Sequence, residues 1–305
     1  MRNKLISSIA GAAFSVAASG FAFAADLNRP VYKAPPPPPP APVYTWTGWY
    51  VGGNVGYSWG DANTDLRGNG TVLTTVGSSF ASEPLAFAAS NTAHPNGVIG
   101  GGQIGYDYQF SSNGVVGFEA DIQGSGERRS NQFVDSFIVP VCIEPTPTGC
   151  TPGIIDPLPA AAVTSYEAEI DWFGTVRGRL GLLVGDQLLI YGTGGLAYGR
   201  VSVSGSTNVS AMFFTPATAA FGASKTDVGF SVGGGIEGRL SYWLSPNWTW
   251  KLEYLYLDLG SLDTAASSFA LVSTPFSSTA TGTVTTHTHF TDNIVRVGLN
   301  YKFTN

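Results

Sequence analysis

The sequence predicts an all-β fold: an eight-stranded antiparallel transmembrane up-and-down β-barrel with short periplasmic turns and long extracellular loops. Three observations lead to this prediction. Eight segments alternate apolar and polar residues, the connections between them are alternately short and long, and the charges within the segments fall on the polar face. Because side chains alternate across a strand, one face of each segment can meet lipid while the other fills a narrow interior.

The first residues have the features of an export signal. Arg2 and Lys4 form a basic start, Leu5–Phe23 is an apolar, alanine-rich run, and the sequence Ala22-Phe23-Ala24 matches a cleavage site. We therefore predict a signal peptide over residues 1–24. No later segment has the 18 or more consecutive apolar residues of a transmembrane helix, so a mature protein in a membrane must cross it with strands.

A proline run follows the leader and precedes the first strand. Pro35–Pro40 favours an extended polyproline helix and cannot join a sheet ladder. Residues 25–45 are therefore predicted to be a periplasmic linker, and residues 46–305 the barrel. Charged residues are only 12% of the chain, about half the share in a soluble protein. The formal net charge of −6 argues against a nucleic-acid partner.

The first four predicted strands each show a face of period two. In the first strand, Trp49 to Trp59 places aromatic residues, valine and glycine on one face. The second strand ends at the hairpin signal Ser111-Ser112-Asn113-Gly114, and the third follows at once. The second, third and fourth strands are Val98–Phe110, Val116–Gln123 and Glu169–Leu182.

The last four predicted strands complete the ring. Gly185-Asp186-Gln187 turns into the fifth strand, whose glycine-rich centre leaves its facing ambiguous, and Ser245-Pro246-Asn247 turns into the seventh. The eighth strand has apolar or aromatic residues at every second position from Val295 to Phe303. The four are Leu188–Arg200, Asp227–Leu240, a strand beginning at Trp248, and Asn293–Phe303.

The lengths of the connections support a membrane barrel over a soluble sandwich. Tight turns follow strands two, four and six, whereas the other links are long: Asp61–Gly97, Ser125–Glu167, Val201–Thr226 and Ser261–Asp292. Short periplasmic turns and longer external loops are typical of bacterial barrels when both termini are periplasmic. The long segments are rich in Ser, Thr, Ala, Asn and Gly, and they either extend the strands or stay mobile.

The charged residues of the strands are predicted to line the lumen. An eight-stranded ring is just wide enough for side chains to fill, and buried charge requires a paired partner. We interpret these residues as a network that packs the barrel, with a water-filled channel lining as the alternative. They are Asp107, Glu119, Asp121, Glu169, Asp171, Arg177, Arg179, Glu237, Arg239, Lys251, Glu253, Arg296 and Lys302.

Aromatic residues and the two cysteines give further expectations. Trp49, Trp59 and the pair Tyr301 and Phe303 lie near strand ends, which predicts aromatic girdles at the membrane interfaces. Cys142 and Cys150 lie in one Pro- and Gly-rich segment of an exported chain, which favours a local disulfide over a metal site.

Four motifs together resemble a known family. They are W-T-G-W-Y-V-G-G-N-V-G-Y-S-W-G (46–60), Y-G-T-G-G-L-A-Y-G (191–199), W-K-L-E-Y-L-Y-L-D-L-G (250–260) and the closing V-R-V-G-L-N-Y-K-F. The chain resembles the small alphaproteobacterial outer-membrane proteins typified by the 25- and 31-kilodalton proteins of Brucella. The resemblance implies a porin-like barrel in the outer membrane with surface-exposed loops. It also implies that the barrel-assembly machinery reads Phe303, although Thr304 and Asn305 follow it here.

Catalysis and metal binding have weak support. His287 and His289 share a strand face, Asp292 could orient an imidazole, and His94 stands alone. No nucleophile motif accompanies them, so we predict neither an enzyme, a metal site nor a cofactor. The expected function is a structural and surface-interaction role, with a diffusion pore for small solutes as the alternative. The expected partners are outer-membrane lipids, the assembly machinery and external ligands of the loops.

Overall fold

The computed structural model describes residues 45–147, 149–151, 155–185, 187–240, 247–274 and 276–303. The predicted signal peptide (1–24), the linker (25–45) apart from Thr45, and Ser245 and Pro246 of a predicted turn lie outside these residues. Within the described ranges, no helix is long and apolar enough to cross a membrane.

Twelve strands account for most of the described chain. Two of them, β5 and β6, form a small separate hairpin near the disulfide. The bounds are β1 Gly48–Val76, β2 Ser79–Ala93, β3 Asn96–Gln109, β4 Gly114–Cys142, β5 Pro145–Thr146, β6 Gly149–Cys150, β7 Ile155–Val184, β8 Leu188–Ala211, β9 Ala217–Arg239, β10 Trp248–Asp263, β11 Ser267–Ser273 and β12 Ser278–Phe303.

Eight of these strands form a closed antiparallel ring in the order β1, β3, β4, β7, β8, β9, β10 and β12. The last strand closes the ring on the first, from Trp49 opposite Phe303 to Thr74 opposite Ser278. The predicted fold class is confirmed. Closure leaves no unpaired strand edge in the ring, which is the condition for strands to cross a bilayer.

The four long segments predicted between strands are themselves largely β-structure, the first of the two expected alternatives. β1 continues to Val76 and returns as β2, while β11 pairs with the upper part of β12. Beyond the ends of β3 and β10, β2-β1-β12-β11 and β4-β7-β8-β9 face each other. One apolar cluster joins them, with Leu66, Leu85 and Phe269 on one side and Val139 and Leu158 on the other. We call this part the extension.

The outward face of the ring carries an apolar band. On β1 the exposed residues run from Trp49 through Val51, Val55 and Tyr57 to Trp59. This distance is roughly 33 Å of strand, which a tilt of 35–45° reduces to roughly 25 Å, the height of the apolar band of bacterial barrels. Aromatic residues mark both ends of the band.

The polarity of the two faces inverts where the strands leave this band. Below Trp59 the outward side chains of β1 are apolar, whereas above it the inward ones, Ala62, Leu66 and Val72, are apolar and buried. The outward positions above it include Asp65 and other polar residues. The alternation of inward and outward side chains along β1 is not interrupted. The same strand therefore contacts lipid below Trp59 and forms part of a water-exposed sandwich above it.

A β-bulge corrects one part of the sequence interpretation. Ile170 pairs with Val201 and Trp172 with Arg200, so Asp171 is the extra residue on β7. The bulge changes which positions face inward. Ile170 is buried, whereas Glu169 and Asp171, predicted to line the lumen, lie on the outer face and are partly exposed. A bulge re-aims side chains in this way because it inserts one residue into an alternating pattern.

Candidate functional site

The candidate site is the interior of the ring, and its periplasmic end is closed by Trp46. The side chain is buried and packs against Val115, Leu183, Leu189 and Tyr191. Its backbone N–H donates to Gln109 Oε1 (3.1 Å), and its carbonyl accepts from Lys302 Nζ (3.2 Å). Lys302 Nζ also lies 4.6 Å from the centre of the indole ring, a cation–π distance.

The first charged layer lies directly above Trp46. Lys302 Nζ donates to Asp107 Oδ2 (2.6 Å), and Arg179 Nη2 donates to Glu237 Oε2 (2.7 Å). The Arg179 guanidinium also lies 4.1 Å from the centre of the Tyr191 ring. All four charged side chains are buried. Each therefore needs its ion-pair partner to offset the free-energy cost of losing its hydration.

Tyr50 connects this layer to the next. Arg179 Nη1 donates to Tyr50 Oη (2.9 Å), which in turn donates to Glu119 Oε2 (2.8 Å). Gly105 and Gly117 leave the space that this arrangement needs. A Cβ at Gly105 would lie 2.3 Å from Tyr50 Oη, and one at Gly117 would lie 2.5 Å from Asp107 Oδ1.

The centre of the ring is a cluster of three basic and three acidic side chains. Arg177 Nη2 donates to Glu119 Oε1 (2.7 Å) and to Asp121 Oδ2 (3.0 Å). Lys251 Nζ donates to both oxygens of Glu119, at 2.8 and 2.9 Å. Arg296 lies 2.6 Å from Glu253 and 2.8 Å from Asp121. Each carboxylate therefore meets at least two cations.

Neutral polar side chains complete the cluster. Asn54 Nδ2 donates to Gln103 Oε1 (2.7 Å), and Gln103 Nε2 donates to Asn300 Oδ1 (2.5 Å). Thr249 Oγ1 donates to Glu237 Oε1 (2.6 Å) and Thr175 Oγ1 to Asp121 Oδ2 (2.8 Å). Sequence reasoning named only charged residues. The neutral members could have been predicted from their inward positions in the same alternating strands.

Above the cluster the interior changes character. Glu127 and Asp292 are both fully buried, and neither was predicted to line the lumen. Around them and beyond them the interior is apolar, with Ile99 and Phe173 near their level and Phe290 above Asp292. A second apolar cluster then fills the extension.

The structure brings most of the predicted charges together. Asp107, Glu119, Asp121, Arg177, Arg179, Glu237, Lys251, Glu253, Arg296 and Lys302 are buried in the ring. Two predicted residues lie on the outer face, and a third lies at the rim of the ring. Glu169 pairs with Arg128 at 2.6 Å and Asp171 with Arg200 at 3.3 Å on the outer face, because of the bulge. Arg239 is half-buried at the periplasmic end of β9, where its backbone N–H donates to Gln187 O.

The histidines lie on the outer surface. His94 Nδ1 is 2.6 Å from Asp61 Oδ1, and His287 Nδ1 is 2.6 Å from Asp263 Oδ1. The expectation that Asp292 could orient an imidazole is wrong, because Asp292 faces inward while His289 faces outward beside Asp258. Across the described residues, no three His, Cys, Asp or Glu side chains form a group that could hold a metal.

The remaining predicted residues lie at opposite ends of the molecule. Cys142 and Cys150 form a disulfide at the far end of the extension, joining the end of β4 to β6. Phe303 ends β12 opposite Trp49 and is half-exposed on the outer face.

A closed ring with an apolar outer band, aromatic residues at both edges and a polar interior defines a transmembrane β-barrel. Residues 12–303 match the family model described as "Outer membrane protein beta-barrel domain". The chain belongs to this family and is an outer-membrane protein.

The similar proteins support the same assignment. The 31 kDa outer-membrane immunogenic proteins of Brucella melitensis biotype 1 and Brucella suis biovar 1 are each 34% identical over 308 residues, covering 99% of this chain and 100% of the relative. The 22 kDa outer membrane protein of Rhizobium leguminosarum bv. viciae is 27% identical, covering 73% of this chain and 68% of the relative. The predicted resemblance to the Brucella proteins is therefore confirmed.

Solved structures show weaker similarity. Ail, the attachment invasion locus protein of Yersinia pestis, matches with a TM-score of 0.26 and 13% identity, over 78% of this chain and 98% of that one. OprG of Pseudomonas aeruginosa matches with a TM-score of 0.32 and 11% identity, over 84% of this chain and 97% of that one.

Proposed function

We propose that this protein is a non-conducting outer-membrane barrel that strengthens the envelope and presents a rigid β-extension to the exterior. One observation carries the proposal. Successive layers of the interior are filled by buried side chains, from Trp46 through the central charged cluster around Arg177 to the apolar clusters above. A solute pore requires a continuous water-filled path, and these layers of buried side chains support a closed interior instead.

The central layer supports a packing role for the charges rather than a channel lining. Arg177, Arg296 and Lys251 are each almost completely buried and donate to carboxylates on other strands. A channel lining would leave such groups in contact with water. Cross-lumen ion pairs instead tie strands together that are not neighbours in the ring.

The extension supports a surface-interaction role. Its outward side carries polar residues such as Asn69 and Thr283, and its far end is held by the Cys142–Cys150 disulfide. The Brucella relatives are named immunogenic proteins. For this chain we propose that the extension is the part available to external ligands, while lipids cover the apolar band.

We also infer that the protein acts without catalysis. His94 and His287 each pair with one exposed aspartate. An activated nucleophile needs a base within hydrogen-bond reach that is itself oriented by a third group. Among the described residues, the contacts of these two histidines do not form such a relay.

Conductance in planar lipid bilayers tests the proposal directly. Purified folded protein is expected to give no stable current steps under conditions in which a large trimeric porin conducts. Reproducible steps of one size from this protein would show a water-filled lumen and would favour the diffusion pore.

A further inference from the structure

Two buried carboxylates lie just above the charged cluster and take no part in it. Glu127 of β4 and Asp292 of β12 are both 0% exposed. Glu127 Oε1 accepts from Ser125 Oγ (3.0 Å), and Asp292 Oδ1 accepts from the Asn293 N–H (2.8 Å). Their second oxygens, Glu127 Oε2 and Asp292 Oδ2, have no hydrogen-bond donor among the described atoms.

Charge balance sets this pair apart from the two charged layers below, the central cluster and the layer above Trp46. Five buried acids there (Asp107, Glu119, Asp121, Glu237 and Glu253) face five buried bases (Arg177, Arg179, Lys251, Arg296 and Lys302). When both are ionised, Glu127 and Asp292 add two negative charges that no buried base offsets. In the part of the chain that the structure describes, neither has a lysine or arginine close enough to interact. Buried charge of this kind requires compensation.

A buried hydroxyl points to the same place. Ser58 of β1 is 0% exposed, and its Oγ lies against Glu127 with no other hydrogen-bond partner among the described residues. Glu127 also contacts the Asp292 side chain. Together with Ser125 Oγ, the group offers four carboxylate and two hydroxyl oxygens and no nitrogen or sulfur. Hard divalent cations take such donor sets, and Ca²⁺ accepts about six to eight oxygens in flexible geometry.

We propose that Glu127 and Asp292, with the Ser58 hydroxyl, bind one structural divalent cation of the calcium type inside the barrel. The ion cancels the two excess charges. It also joins β4 to β12, which β1 and β3 separate in the ring, at the level where the polar interior gives way to the apolar one. Because apolar clusters cover the site from above, the ion enters during folding.

Metal content and chelator sensitivity of the full mature chain test this site. The protein is folded into detergent with Ca²⁺, freed of unbound ion, and measured by elemental analysis. About one calcium per chain is expected. Folding in EDTA is expected to lower the temperature of the heat-dependent gel shift by about 5–10 °C, because a ligand that binds only the folded state raises its melting temperature. Mg²⁺ in place of Ca²⁺ should restore less of the lost gel-shift temperature.

Near-isosteric variants locate the ion. Glu127→Gln and Asp292→Asn should each lose the calcium and the response to EDTA. Glu167→Gln on the outer face of β7 serves as the matched control and should keep both. Calcium that persists in both interior variants would place the ion elsewhere and overturn the proposal. Calcium-free wild type with no response to EDTA would also overturn it and would indicate a pair neutralised by protons. If the variants do not fold, the wild-type measurements still decide.

Discussion

Arg177 shows how the interior depends on single residues. Its guanidinium donates to Glu119, Asp121 and Glu253, on β4 and β10. The Thr175 hydroxyl accepts from its Nε (2.8 Å). A charge in this position is stable because each of its three nitrogens donates to an acceptor.

Replacing Arg177 with alanine is expected to destabilise the folded barrel by about 3–5 kcal/mol, because carboxylates are left buried with fewer partners. Urea unfolding in lipid vesicles, followed by tryptophan fluorescence, measures the change. Arg200→Ala removes an exposed outer-face pair with Asp171 and should cost less than about 1 kcal/mol. Equal effects of the two variants would mean that Arg177 faces water.

At the level of the strands, the bulge in β7 decides which side chains point outward from the ring and which point into it. Ile170 is buried among Phe173, Val201 and other apolar residues, while Glu169 lies outside. A regular strand would have placed these two neighbours the other way round. The sequence interpretation assumes a regular strand. It therefore assigns Glu169 to the interior and Ile170 to the outer face.

Cysteine labelling of intact cells tests the bulge. Glu169→Cys is expected to react with a membrane-impermeant maleimide, since the side chain lies on the outer face above the apolar band. Ile170→Cys should stay unlabelled because it is buried in the interior. Glu167→Cys, on the same face as Glu169, is the positive control. Labelling of the Ile170 variant alone would restore the regular register.

For the whole molecule, closure of the ring predicts resistance to detergent. An unheated sample is expected to migrate faster on a detergent gel than a boiled one, because the hydrogen-bonded ring stays compact until heated. Circular dichroism before boiling should show β-sheet. Equal migration of the two samples together with a helical spectrum would contradict the ring.

The membrane-spanning part of the fold could be predicted from the sequence because lipid makes the alternation strong. Between Val295 and Phe303 every outward position is apolar or aromatic. The extension lacks this contrast, since small residues such as Ala62 and Ala280 form part of its buried face and small polar residues such as Ser204 and Thr283 lie outside. Its strands therefore looked like loops.

The interior was only partly predictable for a different reason. Alternation identified inward charges such as Glu119 and Arg296, but it does not reveal bulges, and so Glu169 was placed inside. In the sequence, Asp292 lies close to His287 and His289 near a loop end, which suggests a histidine cluster. The predicted eighth strand begins at Asn293, one residue after Asp292. The alternation therefore does not assign an inward position to Asp292.

The inversion of polarity at Trp59 fixes how deep the molecule sits. Below this level the outward side chains need hydrocarbon around them, whereas Asp61 and Asn63, two and four residues above it, need water. A thicker bilayer would dehydrate these groups, and a thinner one would expose the apolar girdle. The same inversion recurs on β12, from Val295 to His287. The outer face is therefore matched to one membrane thickness, because it changes from apolar to polar between Trp59 and Asp61, a step of roughly 7 Å along the strand.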